Sequence, residues 1–466
     1  MKQVIILTLL IVAFGAAQAQ TLEINLELPE AASKKVTLAH YYNSQLLADD
    51  TLWLNDGGKG IFLKDTVLHQ GLYKIFLDGK NHFDFLLGED QTFSMANKDF
   101  SVQGMKVKGA IETKEFSDYM KFLYGMQQER KELSGQAETA TDDEKKEINN
   151  KIDDLTTSLY DYWKNIEKKY PGTFLASFLM ANYVTPLNEE DIPEEILSND
   201  SMLLRYKFDF QKEHYFDHFD LLDERLFYTP LVKSKIETYY TKAILQTFDS
   251  LYVSSLELLE AIKPNKKLFQ YVCSYILNNS INSKIMGMDA LFVEIAHRYY
   301  LTGEAFWANE KTLDAIRENL LFSEKNLIGK IAPELQLEGI NPEEQFSLHQ
   351  IDAEMTLIVI YEPNCEHCKI FVPELYNKAY QKYRDKGFEV FAIYSMDKKE
   401  EWVEFIEEHR LYDWINVWDE HDFSRFKITY DARKTPAVYL LDKDKRIIAK
   451  KLSVEQIERY LKDRLD

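Results

Sequence analysis

The sequence predicts a three-part protein: an all-β N-terminal part, an all-α central part, and a C-terminal α/β part with a mixed sheet flanked by helices. From about Thr21 to Gly109, apolar and polar residues alternate, which is typical of antiparallel strands with one buried face. From Ile111 to about Asn326, apolar residues recur at steps of three and four, which predicts helices. After Gly329, apolar strand-like runs alternate with helical patterns, which indicates α/β layers.

The first residues have the pattern of an export signal. Lys2 precedes an apolar run over residues 4–17, and Ala17-Gln18-Ala19 follows as a small-residue cleavage site. The run is shorter than the ~20 apolar residues that a membrane span needs. We therefore expect residues 1–19 to be a signal peptide and the protein to be periplasmic, with a retained membrane anchor as the alternative.

Residues 20–110 are predicted to form a small β-sandwich or partly open barrel. Its strands are expected over residues 22–28, 35–39 and 71–77, and Gly, Asp and Asn residues mark the turns between them. No catalytic cluster stands out in this segment of the sequence.

Residues 111–325 are predicted to form a helical domain. Thr141 and Glu144 have the spacing of a capping box, and Pro171-Gly172 should end the helix that follows it. The segment 286–300 is unusually aromatic, and aromatic faces of this kind more often pack in a core than bind a ligand.

Residues 326–466 should alternate strands and helices around one mixed sheet. The predicted strands cover 355–361, 388–394, 437–441 and 446–449. The predicted helices cover 365–384, 398–409 and 454–465.

Charge and cysteine content narrow the function classes. The formal net charge is -21, which argues against nucleic acid or an anionic membrane as a partner, because both attract basic surfaces. An exported protein with three cysteines is not held together by a disulfide framework. The close spacing of two of them, Cys365 and Cys368, therefore has to be explained by something other than structural cross-linking.

Cys365 is predicted to lie at the start of a helix, directly after a buried strand. The unpaired N–H groups and the dipole of the helix stabilise a thiolate there. Cys365 would therefore be the nucleophile, and Cys368, one turn later, could attack a mixed disulfide and release the partner. Between them, a protonated His367 would favour an oxidising pair, whereas Glu366 would oppose it.

Two other interpretations of the cysteine pair remain open. Both thiolates and His367 could hold soft copper or zinc, but a closed zinc site needs four ligands and no second Cys or Cys/His cluster follows. The chain could instead be a binding or scaffold protein in which the first 300 or so residues hold a partner. We expect neither a cofactor nor a metal. The redox-active group would be the disulfide between Cys365 and Cys368.

Three further residues have the chemistry of ligands or nucleophiles but are expected to be structural. His214 and His218 are four positions apart, without the Glu that a zinc-protease helix carries after its first His. Cys273 has Phe269 and Leu277 one turn away on either side, and it should be a packed apolar residue.

The C-terminal third resembles the TlpA-like branch of the thioredoxin superfamily, the exported bacterial thiol-disulfide oxidoreductases. The matching residues are Gly329-Lys330-Ile331-Ala332-Pro333, Leu335, Leu337, Cys365-Glu366-His367-Cys368, Pro373 and Thr435-Pro436. The resemblance implies a thioredoxin fold, with Pro436 cis and facing the dithiol and the backbone of Thr435 pairing with the substrate chain. It also implies an extra strand and helix between Cys365 and Pro436.

Residues 21–110 and 111–325 resemble two uncharacterised domains, one β and one helical, that precede such thioredoxin domains in exported bacterial proteins. The C-terminal third departs from the family at Val359 and Phe371, where relatives carry acids that help to move the proton of the resolving cysteine. Asn364 stands where a tryptophan is common. Glu362 and Glu374 are candidates to replace the missing acids.

The resulting prediction is an exported thiol-disulfide oxidoreductase that reduces or exchanges protein disulfides, with reduction slightly favoured. Its expected partners are protein thiols and disulfides of the cell envelope and an upstream membrane electron donor. A second copy or another partner could bind through the first two domains, and nucleic acid is not expected.

Overall fold

The computed structural model describes residues 21–466. The predicted signal peptide therefore lies outside the described residues. The chain forms two compact units: one runs to residue 244 and includes 262–268, and the other comprises 245–261 and 269–466. Between residues 21 and 466, no helix combines the length and the apolar character needed to cross a membrane.

The N-terminal domain is a sandwich of two four-stranded sheets. Its strands are β1 (Leu22–Glu27), β2 (Lys35–Tyr42), β3 (Gln45–Trp53), β4 (Lys59–Lys64), β5 (Gly71–Phe76), β6 (His82–Leu87), β7 (Thr92–Asn97) and β8 (Met105–Lys108). The sheet orders are β4-β1-β7-β8 and β3-β2-β5-β6. Alternate residues such as Ile24, Phe62 and Ile75 point into a shared core, which confirms the predicted all-β part.

Helices follow from residue 111, as predicted. In the first unit they are α1 (Ile111–Ala137), α2 (Asp142–Lys169), α3 (Phe174–Met180), α4 (Glu194–Leu197), α5 (Asp200–Glu213) and α6 (Leu231–Thr238). The predicted capping box begins α2, because the Thr141 N–H donates to the Glu144 carboxylate over 2.8 Å. Glu112 fixes the start of α1 by accepting from the N–H groups of Glu89 at 3.0 Å and Leu175 at 2.8 Å.

The remaining helices of the central part include the aromatic segment 286–300. They are α7 (Phe248–Ile262), α8 (Lys266–Asn282), α9 (Met288–Ile295) and α10 (Glu310–Ser323). Phe292 on α9, together with Tyr299 and Tyr300 just after it, is almost fully buried. The aromatic segment therefore packs in a core, as the sequence indicated.

The C-terminal domain is built on a mixed seven-stranded sheet. Its strands are β9 (Gln336–Gly339), β10 (Gln345–Ser347), β11 (Met355–Tyr361), β12 (Phe388–Tyr394), β13 (Ile415–Trp418), β14 (Ala437–Asp442) and β15 (Ile447–Lys450). Its helices are α11 (Glu366–Leu375), α12 (Gln381–Tyr383), α13 (Lys399–His409), α14 (Phe426–Thr429) and α15 (Val454–Leu465). The strand order is β10-β9-β13-β12-β11-β14-β15, and this confirms the predicted α/β part.

The central strand β11 positions the cysteines. It pairs with β12 in parallel and with β14 in antiparallel orientation, and all seven of its residues are buried. Its last residue, Tyr361, is held by a hydrogen bond of 3.0 Å from the Trp402 indole N–H to the tyrosine oxygen. The carboxyl end of β11 is therefore a rigid support for the turn into α11.

A buried ion pair within the second unit connects α9 to β15. The Lys450 ammonium, with only 4% of its side chain exposed, contacts the Asp289 carboxylate. The same ammonium donates to the backbone and side-chain oxygens of Asn326, each at 2.9 Å. These contacts join the last helices of the central part to the C-terminal sheet.

Candidate active site

A tight turn after β11 places Cys365 at the first position of a helix. The Cys365 N–H donates to the Glu362 carbonyl over 3.1 Å, and the Cys365 carbonyl accepts the first helical bond, 3.1 Å from the Lys369 nitrogen. Cys365 is thus the N-cap of α11, with extended backbone angles (φ -79°, ψ 120°). Its sulfur lies beside N–H groups that have no partner within the helix.

These surroundings favour the Cys365 thiolate. Partial burial alone would raise the pKa of the Cys365 thiol, but hydrogen bonds from the Thr435 and Cys368 side chains lower it, and so do the backbone N–H groups of Cys368 and His367. The donors outweigh burial, so the pKa of Cys365 lies below its ordinary value. A half-buried thiol with a lowered pKa is a competent nucleophile.

Cys368 has the opposite environment. Its side chain is completely buried, in the same core cluster as Val359 and Val372. Burial raises the pKa of the Cys368 thiol from 9.0 to about 12. Both cysteines are present as free thiols. Attack by Cys365 and resolution by Cys368 stay predictions.

The loop before β14 brings a second segment to the dithiol. The peptide bond between Thr435 and Pro436 is cis, as the resemblance implies. The Cys365 thiol donates to the Thr435 carbonyl oxygen, with a distance of 3.3 Å from Sγ. Thr435 therefore lies directly against Cys365, and the pairing of its backbone with substrate stays a prediction.

The two residues between the cysteines differ in their surroundings. The Glu366 carboxylate accepts from the Lys369 ammonium at 2.8 Å, so part of its negative charge is neutralised locally. His367 borders an open groove beside the dithiol. Their tuning of the redox potential stays a prediction.

The resolving cysteine has no buried acid beneath it. Val359 is fully buried, and Phe371 packs against the same core. Within the described part of the C-terminal domain, no Asp or Glu side chain is buried. Glu374 is paired with Lys378 at 2.5 Å, and Glu362 accepts from the Ser395 hydroxyl at 3.4 Å.

The groove beside the dithiol has a volume of about 690 Å³. Its wall includes Phe371, Pro436 and Val454 as apolar residues, with Lys434 as a basic one. Ile370 also lines it, with 69% of its surface exposed. Sequence reasoning missed Ile370 and Val454, although an apolar residue two positions after the cysteine motif was a usable signal for Ile370.

The other sequence candidates belong to the central helical part of the chain. His214 contacts the Asp217 carboxylate at 2.7 Å, and the His218 ring meets the edge of Tyr183 at 4.7 Å between centroids. Cys273 is fully buried, as predicted, and burial raises the pKa of its thiol to about 12. Among residues 21–466, no group of three or more His, Cys, Asp or Glu side chains could hold a metal ion.

Comparison with known proteins identifies the C-terminal domain. Residues 352–447 match the model of a family described as thioredoxin-like. A domain of a possible thiol-disulfide isomerase from Cytophaga hutchinsonii is 36% identical, with 29% of this chain and 92% of that chain covered and a TM-score of 0.28. No curated protein matches the sequence.

Two further solved structures are similar. The thioredoxin domain of a thiol-disulfide oxidoreductase from Bacteroides vulgatus is 23% identical, over 30% of this chain and 98% of that chain, with a TM-score of 0.28. A thioredoxin-like protein from Bacteroides caccae is 20% identical, over 60% of this chain and 98% of that chain, with a TM-score of 0.46. Through its C-terminal domain, the chain belongs to the thioredoxin-like family of thiol-disulfide oxidoreductases.

Proposed function

We propose that Cys365 and Cys368 exchange disulfides with exported proteins and that the pair runs mainly as a reductant. The observation that carries this proposal is the contrast between the two thiols. Cys365 is half-buried at a helix start with a lowered pKa, whereas Cys368 is buried and has a pKa of about 12. Such a pair has one thiol that can attack a substrate disulfide and one that stays protonated until it resolves the mixed disulfide.

Reduction of a substrate takes two exchange steps. The Cys365 thiolate attacks one sulfur of the substrate disulfide, so a mixed disulfide forms and the other substrate sulfur leaves as a thiolate that takes up a proton. Cys368 then loses its proton and attacks the Cys365 sulfur, which releases the second substrate thiol. The substrate gains two electrons, and the protein ends with a disulfide between Cys365 and Cys368 that a membrane electron donor would reduce again.

We propose the reducing direction because burial works against stabilisation of the Cys365 thiolate. Strongly oxidising relatives of thioredoxin have an attacking thiol with a pKa near 3.5, which stabilises their reduced form. Here burial opposes the lowering of the Cys365 pKa, and Cys368 stays protonated. Both features limit the stabilisation of the dithiol, so its disulfide should be a weak oxidant.

The groove beside the dithiol favours a polypeptide substrate. Ile370 and Phe371 offer apolar surface in the groove that Thr435 and Pro436 also line, and the Thr435 backbone lies against Cys365. An extended segment with an apolar residue near its cysteine would use both features. We therefore propose that the substrates are unfolded or flexible protein segments whose cysteines are accessible.

Location in the periplasm rests on the pattern of residues 1–19. If this segment is a cleaved signal, the mature protein begins at Gln20 and is released with the periplasmic fraction. Mass spectrometry of the protein from its native host tests this. A mature mass that still includes residues 1–19 would contradict the cleavage.

A redox titration of the full chain tests the proposed direction. The dithiol would be equilibrated in buffers of reduced and oxidised glutathione and quantified after alkylation. A midpoint more negative than about -200 mV supports a reductant, whereas a value near -120 mV would make the protein an oxidant. Reduction of insulin disulfides should be lost in Cys365→Ser and retained in Cys273→Ser, which removes only the third, buried thiol.

A further inference from the structure

A pocket of about 200 Å³, partly open to solvent, lies where α1 packs against the β-sandwich. Helix α1 contacts β6 and β8, which are the last strands of the two different sheets. The helix therefore closes one side of the sandwich, and the cavity, here named the α1 cavity, lies at that closure. It is separate from the dithiol site in both residues and domain.

The walls of the α1 cavity are mainly apolar. Phe83, Phe85, Phe100, Met105 and Phe116 line it, and each is at most 8% exposed. The Phe83 and Phe100 rings pack with their centroids 6.0 Å apart. Such walls favour the apolar, ring-shaped part of a small molecule.

Two hydroxyl groups interrupt these apolar walls. Thr113 and Ser117 are one turn apart on α1 and are 1% and 7% exposed. Both line the cavity, and within the described chain neither hydroxyl oxygen has a hydrogen-bond partner. Hydroxyls in helices commonly bond the carbonyl four residues earlier, and a buried polar group without any partner is costly.

The charged groups on the wall are already paired. Asp84 contacts the Lys74 ammonium at 3.1 Å and accepts from the Tyr41 hydroxyl at 3.3 Å. His82 lies 3.4 Å from the same ammonium. An ion inside the cavity would lose its hydration without gaining a new counter-charge, so the wall favours an uncharged ligand.

The volume favours an organic ligand over water alone. A water molecule occupies about 30 Å³ of liquid and needs two to four polar partners, whereas apolar cavities of about 150 Å³ stay dry and take up benzene. We propose that the α1 cavity binds a small neutral molecule with a ring-sized apolar body and one hydroxyl group, which would bond Thr113 and Ser117. A phenol is the simplest member of that class.

Calorimetric titration of the full chain with p-cresol and with toluene tests this site. The two ligands differ by one hydroxyl, so p-cresol should bind one site per chain about tenfold more tightly than toluene, the effect of one hydrogen bond. In the double variant Thr113→Val, Ser117→Ala, the p-cresol affinity should fall about tenfold while the toluene affinity is kept or improved. Ser134→Ala, on the exposed side of the same helix, is the matched control and should change neither.

A cavity-filling variant gives an independent outcome. Ser117→Met places a larger side chain in the α1 cavity and should abolish binding of both ligands. If Ser117→Met does not fold, as judged by circular dichroism, the double variant Thr113→Val, Ser117→Ala tests the site by itself, because its side chains are nearly the same size as the originals. Lack of saturable p-cresol binding, equal affinity for both ligands, or undiminished p-cresol binding in the folded Ser117→Met variant would overturn the proposal.

Discussion

A carboxyl at position 359, in the core cluster that contains the resolving cysteine, should speed resolution and destabilise the domain. Val359 is fully buried, in the same core cluster as Cys368. The Cys368 pKa of about 12, against an ordinary 9.0, lowers its thiolate fraction at neutral pH about a thousandfold. A buried Asp has a raised pKa and can act as a general base near neutrality. Val359→Asp should therefore accelerate resolution about 100-fold, within the usual range for a general base.

The same change has a cost in stability that can be worked out from burial. Loss of the buried Val side chain costs about 1.5–2 kcal/mol, and burial of an unpaired carboxyl costs about 1–3 kcal/mol more. Urea unfolding of Val359→Asp should therefore show a loss of about 2.5–5 kcal/mol. Val359→Asn is the matched control, because it has a similar shape and cost but no base.

The rate is measured by quenched-flow decay of a mixed disulfide between Cys365 and glutathione. Val359→Asp should lose the mixed disulfide about 100-fold faster than the wild type, and Val359→Asn should not. A folded Val359→Asp that resolves the mixed disulfide at the wild-type rate would show that a carboxyl at this position does not act as a base. Equal rates for Val359→Asn and Val359→Asp would show the same.

Three other perturbations test separate parts of the account. Alkylation followed by mass spectrometry should find that Cys365 reacts below pH 9, since its pKa is lowered. Cys368 should stay protected until the pH approaches its pKa of about 12. Equal pH profiles of alkylation for the two cysteines would contradict the assignment of Cys365 as the attacking thiol. Asp289→Ala leaves the buried Lys450 ammonium without its counter-charge. The free energy of unfolding in urea should therefore fall by about 3–5 kcal/mol. An unchanged unfolding midpoint would show that the pair is not buried in solution. Ile370→Asp adds a charge to the groove wall and should raise the KM for an apolar cysteine peptide about tenfold. The rate with glutathione should change little. A parallel loss of activity with both substrates would argue against a role of Ile370 in peptide binding.

Long or fully buried elements could be predicted from the sequence because their signal is local. The strands Met355–Tyr361 and Phe388–Tyr394 were placed at their observed bounds from continuous apolar runs. The helix Val454–Leu465 was placed correctly because it is strongly amphipathic. The position of Cys365 at a helix start was predicted from the strand, turn and helix order around it, and the roles of the two thiols stay predictions.

The remaining features depend on partners distant in the chain. Strand β10 has three residues and β13 has four, too short for a periodic pattern, so they are defined by pairing alone. The contact between Lys450 and Asp289 joins residues 161 positions apart, and no local pattern carries it. The apolar wall of the dithiol groove likewise combines α11 with the start of α15.

Trapping with the two single cysteine variants distinguishes the attacking thiol from the resolving one. The full chain carrying Cys368→Ser is incubated with a periplasmic extract, and mixed disulfides are resolved by non-reducing electrophoresis and identified by mass spectrometry. We expect protein adducts through Cys365 in this variant and few or none in Cys365→Ser, whose remaining Cys368 is buried and has a pKa of about 12. Absence of adducts from Cys368→Ser, or equal trapping by Cys365→Ser, would contradict the assignment of Cys365 as the attacking thiol.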